Sequence, residues 1–170
     1  MAGAGMGSMP RGKSWTSIPS DAEGLVKWFP DVDWSQQGVK PRNSNSLVKC
    51  RLVQNNDATT LTASLLVTYE AGSFGKVVDD YAAATDQPAG LVDEYIGSGG
   101  VPVGSWFWIV QEGPCTAHAL GTVTADTIVA CAAGGKIDNA SSPPTDNDVG
   151  RAMAGIASTT GRVWLNLLYS

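Results

Sequence analysis

Short runs of alternating hydrophobic and polar residues dominate the chain from residue 47 onward. The runs are rich in aliphatic and β-branched residues and are separated by glycine, proline, asparagine and serine, which is the pattern of β-strands joined by turns. The predicted strands are 47–55, 61–69, 89–96, 105–111, 115–120, 126–132, 151–157 and 162–169. The first two are expected to form a hairpin through residues 56–60, whereas 76–84 fits either a strand or a helical turn. The pattern therefore predicts an all-β fold.

The run 105–111 is apolar on both of its faces. Trp106, Trp108 and Val110 face one way, and Phe107 and Ile109 face the other. A strand of this kind needs cover on both sides. We therefore expect a small β-barrel or a β-sandwich-like domain, because a closed or layered sheet also removes exposed strand edges.

The first 46 residues have a different pattern. Prolines recur through them, and each one removes a backbone donor and disfavours helix in the residue before it. These prolines are Pro10, Pro19, Pro30 and Pro41. We predict an extended N-terminal arm over 1–46, followed by a β-barrel domain over 47–170.

The arm carries large aromatic side chains that are costly to leave in water. They are Trp15, Trp28, Phe29 and Trp34. The arm either folds back on its own barrel or places these side chains on a neighbouring subunit, and the sequence leaves both alternatives open. In the last predicted strand, Val163, Leu165 and Leu167 share one face and leave Trp164 on the other. Trp164 is therefore a fifth candidate contact with a partner or with another subunit.

The charge content limits the possible partners. Charged residues are only 16% of the chain and the formal net charge is −5, so a patch that binds nucleic-acid phosphates is not expected. No uninterrupted apolar segment is long enough to cross a membrane, and 1–10 lacks the pattern of a secretory signal. The three cysteines, which lie at wide spacings, are expected to be free thiols in a protein assembled in a reducing cytoplasm.

No motif for catalysis or for a cofactor is present. His118 is the only histidine, and Cys115 would point to the opposite face of a straight strand, which argues against a Cys–His dyad. A hydrolase that uses Cys115 or Cys131 stays open as an alternative, and it requires a thiol with a lowered pKa. Alternation places Asp31 beside Asp33, and Asp146 beside Asp148, so that a weak calcium site is conceivable, but solvated loops are the expected reading. We predict a protein that is not an enzyme, with no cofactor and no metal.

The C-terminal third contains three segments with a recognisable pattern. They are Val123-Thr124-Ala125-Asp126-Thr127-Ile128-Val129-Ala130-Cys131 with Gly134-Gly135-Lys136-Ile137, then 149–157, and the final strand 161–168. Together they resemble the capsid decoration, or cement, proteins of tailed bacteriophages. The segments 88–92 and 104–108 fit the preceding hairpin of that family, so the resemblance covers roughly residues 75 to 170. The chain departs from the family at Ala125, where a glycine is usual, and in its tryptophan-bearing arm.

The resemblance implies a compact β-barrel that sits on the outer capsid surface at capsomer junctions, commonly as a homotrimer. In this family the barrel stabilises the shell against internal DNA pressure, and no catalytic residues are implied. The expected partners are the major capsid protein and other copies of the chain, and the expected location is the virion. The alternative is a carbohydrate-binding or adhesion β-module in which Trp106, Trp108 or Trp164 stacks on sugar rings.

Overall fold

The computed structural model describes residues 9–73, 75–81, 87–141, 148–157 and 159–167. It is 53% strand and 4% helix, which confirms the all-β prediction. In chain order the strands are β1 (Ser14–Trp15), β2 (Val26–Val32), β3 (Arg42–Asn55), β4 (Leu66–Tyr69), β5 (Val77–Asp80), β6 (Pro88–Val92), β7 (Trp106–His118), β8 (Thr122–Val123), β9 (Ile128–Ala132), β10 (Lys136–Asn139), β11 (Asp148–Ala152), β12 (Ile156–Ala157) and β13 (Thr160–Asn166). Short 3₁₀ turns occupy Ser20–Ala22 and Ala133–Gly135. Among the described helical residues, none form a helix long and apolar enough to span a membrane.

One large sheet contains eleven of these strands, and its central strand β7 pairs with β1, β3, β6 and β13. The order along the sheet is β10-β9-β11-β13-β7-β6-β4-β5-β3-β2, and β3 also pairs with β7. This last pairing closes a ring of five strands, β7-β6-β4-β5-β3, while β13 pairs with the C-terminal half of β7 and is followed by β11, β9 and β10. The molecule thus combines a small closed barrel with a sheet extension, and β8 and β12 form a separate two-stranded pair.

Strand β7 separates two hydrophobic cores. Phe107 and Ile109 belong to the core inside the ring, and Trp106, Trp108 and Val110 belong to a larger core on the opposite face. The predicted alternation is therefore confirmed. The larger core continues under β13 and β11, where Val163, Leu165 and Leu167 are buried, whereas Leu168 and Tyr169 lie outside the described residues.

The separation of the predicted strands 105–111 and 115–120 by a turn at 112–114 is wrong, because β7 runs through all of these residues from Trp106 to His118. A β-bulge places Lys49 of β3 opposite Glu112 and Cys50 opposite Val110, so one residue of β7 is extra and the alternation of its faces shifts. Gly113 allows this irregularity: its φ is 102°, and a Cβ there would lie 2.5 Å from the carbonyl oxygen of Leu47. Consequently Val110 and Cys115 both point inward although their numbers differ in parity.

The described part of the N-terminal segment packs against its own chain. β1 pairs with β7, and β2 pairs with β3 from Val26 to Val32. The proposed division between 46 and 47 falls inside β3, which begins at Arg42. Of the two alternatives left open by the sequence, residues 9–46 therefore show the intramolecular one.

The predicted hairpin between 47–55 and 61–69 does not form. β4 lies between β5 and β6, and β3 instead pairs with β5 in parallel. Ser64, with a φ of 65°, interrupts the apolar run before β4 begins. Part of the ambiguous segment 76–84 is strand β5, and residues 82–84 lie outside the described residues.

Candidate interaction surface

One face of the large sheet carries exposed apolar side chains in adjacent strands. Pro30 of β2 lies opposite Leu47 of β3, and Gly113 of β7 contacts the backbone of Leu47. Farther along the sheet, Pro114 of β7 is opposite Trp164 of β13, Trp164 is opposite Arg151 of β11, and Arg151 is opposite Ile128 of β9. Paired residues point to the same face of a sheet. We call this face the outer face and define it by Trp28, Leu47, Lys49, Trp164, Arg151 and Ile128.

The apolar members of the outer face are exposed to an unusual degree for large side chains. Trp28 is 49% exposed, Leu47 is 53% exposed and Trp164 is 41% exposed. Their strand neighbours Phe29, Val48 and Val163 point inward and are buried. The exposure therefore follows from strand alternation, which directs every second residue away from the core.

The charges within the outer face are mainly basic although the protein is acidic. Lys49 pairs with Glu112 in the strand register, and Arg151 lies 3.5 Å from the carboxylate of Asp126 in an exposed ion pair. Exposed pairs of this kind contribute about 0–1 kcal/mol. The face thus combines two tryptophans and Arg151, which are residue types enriched at protein interfaces, with aliphatic groups and Lys49.

The five candidate contact residues divide into three groups. Trp28 and Trp164 are exposed on the outer face. Phe29 is only 3% exposed and meets Trp108 edge-on at a ring distance of 5.1 Å, so it supports the core rather than a partner. Trp15 and Trp34 are partly buried and pack against the larger core.

Sequence reasoning missed Leu47 and Ile128. Leu47 lies inside β3 and Ile128 begins β9. Both are in runs that look like ordinary core, and their outward direction depends on pairing partners in other strands. Alternation along a strand divides its residues into two faces, but only the pairing register with neighbouring strands identifies which face points outward.

A buried ion pair fixes the start of the described chain to the barrel. Both nitrogens Nε and Nη2 of Arg11 donate to Asp93, at 3.1 and 2.8 Å, and both side chains are fully buried. The backbone N–H of Gly12 also donates to Asp93, and the indole N–H of Trp108 donates to the carbonyl of Met9. Burial alone would lower the pKa of Arg11, but the attraction of Asp93 and other nearby groups raises it.

A second network lies at the edge of a surface cleft. Arg162 of β13 donates to Asp31 of β2 at 2.9 Å and to Glu94 at 3.0 Å, and Thr116 donates to Glu94. Asp31 is fully buried. Desolvation raises the pKa of Glu94 against the opposing effects of Thr116 and Arg162. The network therefore ties three distant segments together around one guanidinium group.

Of the aspartates considered for calcium, Asp31 and Asp33 bind different partners within the chain. Asp31 pairs with Arg162, and Asp33 accepts hydrogen bonds from Ser35, while Asp146 lies outside the described residues. The carboxylates of Asp57, Asp79 and Asp80 approach one another within 4.8 Å. Exposed acidic groups often cluster without a metal, so this cluster by itself assigns no site.

The thiols and the histidine lack the features of a nucleophile and base. Cys50 and Cys115 are fully buried, and desolvation raises the pKa of both. Desolvation also raises the pKa of Cys131 and lowers that of His118. A reactive cysteine needs stabilisation of its thiolate, and these surroundings disfavour the charged form.

Two solved structures of phage head components are similar to this chain. One, described as head fiber gp8.5 N base in bacteriophage phi29, has 12% identity and a TM-score of 0.49, over 69% of this chain and 93% of that one. The other, described as the capsid of Myoviridae Phage XM1, has 16% identity and a TM-score of 0.49, over 81% of this chain and 92% of that one. At these identities and TM-scores neither likeness assigns a function. No protein-family model and no curated protein matches the chain.

Proposed function

We propose that this chain is a structural virion protein that binds the outer surface of a phage capsid through its outer face and cements the shell at capsomer junctions. The major capsid protein is its partner, and copies of the chain assemble as a homotrimer. The proposal rests on the resemblance in residues 75–170 and on the outer face. It includes no catalytic activity and no cofactor.

The observation that carries the proposal is the set of exposed large apolar groups on adjacent strands. Burying side chains of this size contributes about 1.5–3 kcal/mol each, and binding energy at protein interfaces is concentrated in aromatic anchors. Trp28 and Trp164 have this chemistry, and Leu47 lies between their strands. A partner that covers them gains contact energy without any rearrangement of the sheet.

The buried thiols support the non-enzymatic part of the proposal. A hydrolase that used Cys115 or Cys131 would need a lowered thiol pKa, whereas desolvation raises the pKa of both. Asn166 and Glu112 on the outer face offer polar contacts but no arrangement of nucleophile and base. Attachment is therefore the activity that this surface supports best.

The test compares binding of variants to phage shells that lack the protein. Trp28→Ser and Trp164→Ser are expected to reduce the number of bound copies strongly, and the double variant should abolish attachment. Leu120→Ser is the matched control, because Leu120 is also 49% exposed but does not belong to the outer face. Undiminished binding of a folded double variant would contradict the proposal. Light scattering of the free protein tests the homotrimer, and a stable monomer at all concentrations would contradict it.

Two of the three tryptophans considered for the alternative, a carbohydrate-binding module, are not accessible to a sugar. Trp106 and Trp108 are buried and belong to the larger core, so they do not stack on an external sugar. Only Trp164 of the three is exposed. A glycan site built on exposed tryptophans therefore has little support on this chain.

A further inference from the structure

A polar cleft of about 600 Å³ opens beside the network around Arg162. Its floor is formed by Glu94, Thr116 and Arg162, and its wall and rim include Arg42, Asn43 and Tyr95. The floor and rim come from β3, β7 and β13 and from the connection after β6. Volumes of 300–1,000 Å³ are typical of sites for small ligands.

The floor of the cleft is held rigidly by its own hydrogen bonds. Arg162 is bonded to Asp31 and to both oxygens of Glu94, and Thr116 donates to the same carboxylate. Side chains locked in this way lose little entropy when a ligand binds. The floor is therefore preorganised in the absence of a ligand.

The rim offers hydrogen-bond donors and hydrogen-bond acceptors that remain available to a ligand. Arg42 is exposed, and its side chain makes no hydrogen bond or ion pair with the part of the chain that the structure describes. Asn43 donates through its Nδ2 to the hydroxyl of Tyr95 at 2.8 Å, which leaves its carbonyl oxygen and the phenolic proton available. Burial raises the pKa of Tyr95 to about 12, with a further contribution from Glu94, so the hydroxyl remains a donor at neutral pH.

The charges of the cleft select against simple ions. The cleft is lined by Arg42 and Arg162 and by Asp33 and Glu94, and Asp31 also bonds to Arg162 from below the lining. A phosphate or carboxylate ligand would meet the two carboxylates, and a cation would meet the two guanidinium groups. A neutral ligand rich in hydroxyl groups avoids both penalties, because each hydroxyl donates and accepts. Planar guanidinium and amide groups can also bond to two neighbouring hydroxyls at once.

We propose that this cleft binds a neutral saccharide unit, with Arg42, Asn43 and Tyr95 as its contacts. The cleft does not include the exposed tryptophans, although Arg162 and Thr116 lie on the same face of the sheet as Trp164 and Pro114. Saccharide binding by this cleft uses different contacts from those that attach the protein to a capsid.

The test measures binding of the full chain to an array of immobilised neutral and charged glycans, followed by NMR titration with the best neutral saccharide. Arg42→Ala and Asn43→Ala are each expected to weaken binding about tenfold, since each removes a hydrogen bond to the ligand. Lys13→Ala is the control, because Lys13 is exposed and does not line the cleft. It should bind like the unaltered protein.

Three results would overturn the proposal. They are the absence of saturable binding to any neutral saccharide, unchanged binding by both cleft variants, and tighter binding of inorganic phosphate than of the saccharide. Shell attachment is measured in parallel on the same variants. If the cleft variants lose saccharide binding but still attach to shells, saccharide binding and attachment are separate properties. The same conclusion follows if Trp164→Ser loses attachment and keeps saccharide binding.

Discussion

Asp93 is a buried carboxylate whose charge is balanced by one guanidinium group. It accepts two hydrogen bonds from Arg11 and one from each of the backbone N–H groups of Gly12 and Tyr95, and it has no exposure to water. Asp93→Asn keeps the size of the side chain but leaves the buried charge of Arg11 unpaired. We expect a loss of about 3–5 kcal/mol in the free energy of unfolding, measured with urea.

Asp126→Asn provides the control for this prediction. Its partner Arg151 lies at 3.5 Å and both side chains are exposed, so the change should cost less than about 1 kcal/mol. Equal effects of the two substitutions would show that burial of the Arg11–Asp93 pair is unimportant. The two ion pairs differ mainly in exposure, which makes the comparison specific.

Glu94 should make stability depend on pH in a predictable direction. Desolvation raises its folded-state pKa above the ordinary value of 4.5. The folded state then binds the proton more tightly than the unfolded chain, so this group's contribution is fully present below about 4.5 and is lost as the pH rises through the folded pKa. The free energy of unfolding, relative to that of Glu94→Gln, should therefore be greater at about pH 4 than at pH 7. A difference that is constant with pH, or that grows as the pH rises, would show that the pKa is not raised.

Ion pairs between residues far apart in the sequence could not be predicted from the sequence alone. Arg11 and Asp93 are 82 positions apart, and Arg162 and Asp31 are 131 positions apart. Nothing local distinguishes these residues from solvated charges. Their pairing follows from the register of strands, which the pattern of a single strand does not specify.

At the scale of elements, the segment from Met9 to Trp15 completes the larger core. Met9 is buried there, and β1 adds to β7. Gly12 lies at the tightest point of this segment, where a Cβ would approach the Cβ and carbonyl oxygen of Tyr95 to 2.8 Å. The segment is therefore a structural part of the domain, and removing 1–46 as a whole would also remove β2 and a portion of β3.

The comparison of Gly12→Ala with Gly38→Ala tests this role. Both glycines have a positive φ, of 74° and 79°, so both substitutions incur a similar backbone strain of about 1–2 kcal/mol. Only Gly12 has close neighbours, whereas no atom lies within 4 Å of the Cβ position at Gly38. Gly12→Ala should be the more destabilising in urea unfolding, by about 1–3 kcal/mol. Equal losses would indicate that the segment does not pack tightly against Tyr95.

The sequence correctly predicted strands in which one face is apolar and the other polar, or in which both faces are apolar. It did not predict strands that are formed by polar residues. The alternation in 105–111 predicted both cores, and that in 162–169 predicted the exposure of Trp164. The polar run 42–46 gave no sign of being strand, yet it extends β3. Neighbour order failed at β3 and β4 because a parallel pairing with β5 replaced the expected hairpin. Alternation reports local burial, and topology depends on distant contacts.

At the scale of the whole molecule, the central strands are protected by the sheets around them. β3 and β7 each pair with several strands, and they contain Cys50 and Cys115. Both thiols are fully buried, and their raised pKa disfavours the reactive thiolate. Access to either thiol therefore requires separation of strands that hold the two cores together.

Thiol labelling should consequently report unfolding of the whole domain. In native buffer, Cys50 and Cys115 are expected to react far more slowly than in the denatured chain, and their labelling rates should rise with urea in parallel with the global unfolding equilibrium. Lys13→Cys, which places a thiol at an exposed position, should label quickly under native conditions and serves as the control. Mass spectrometry of labelled peptides distinguishes the sites. Rapid native labelling of Cys115 with little reaction at Cys50 would mean that β7 and β13 open independently of the five-stranded ring, and that the two parts of the sheet do not unfold as one unit.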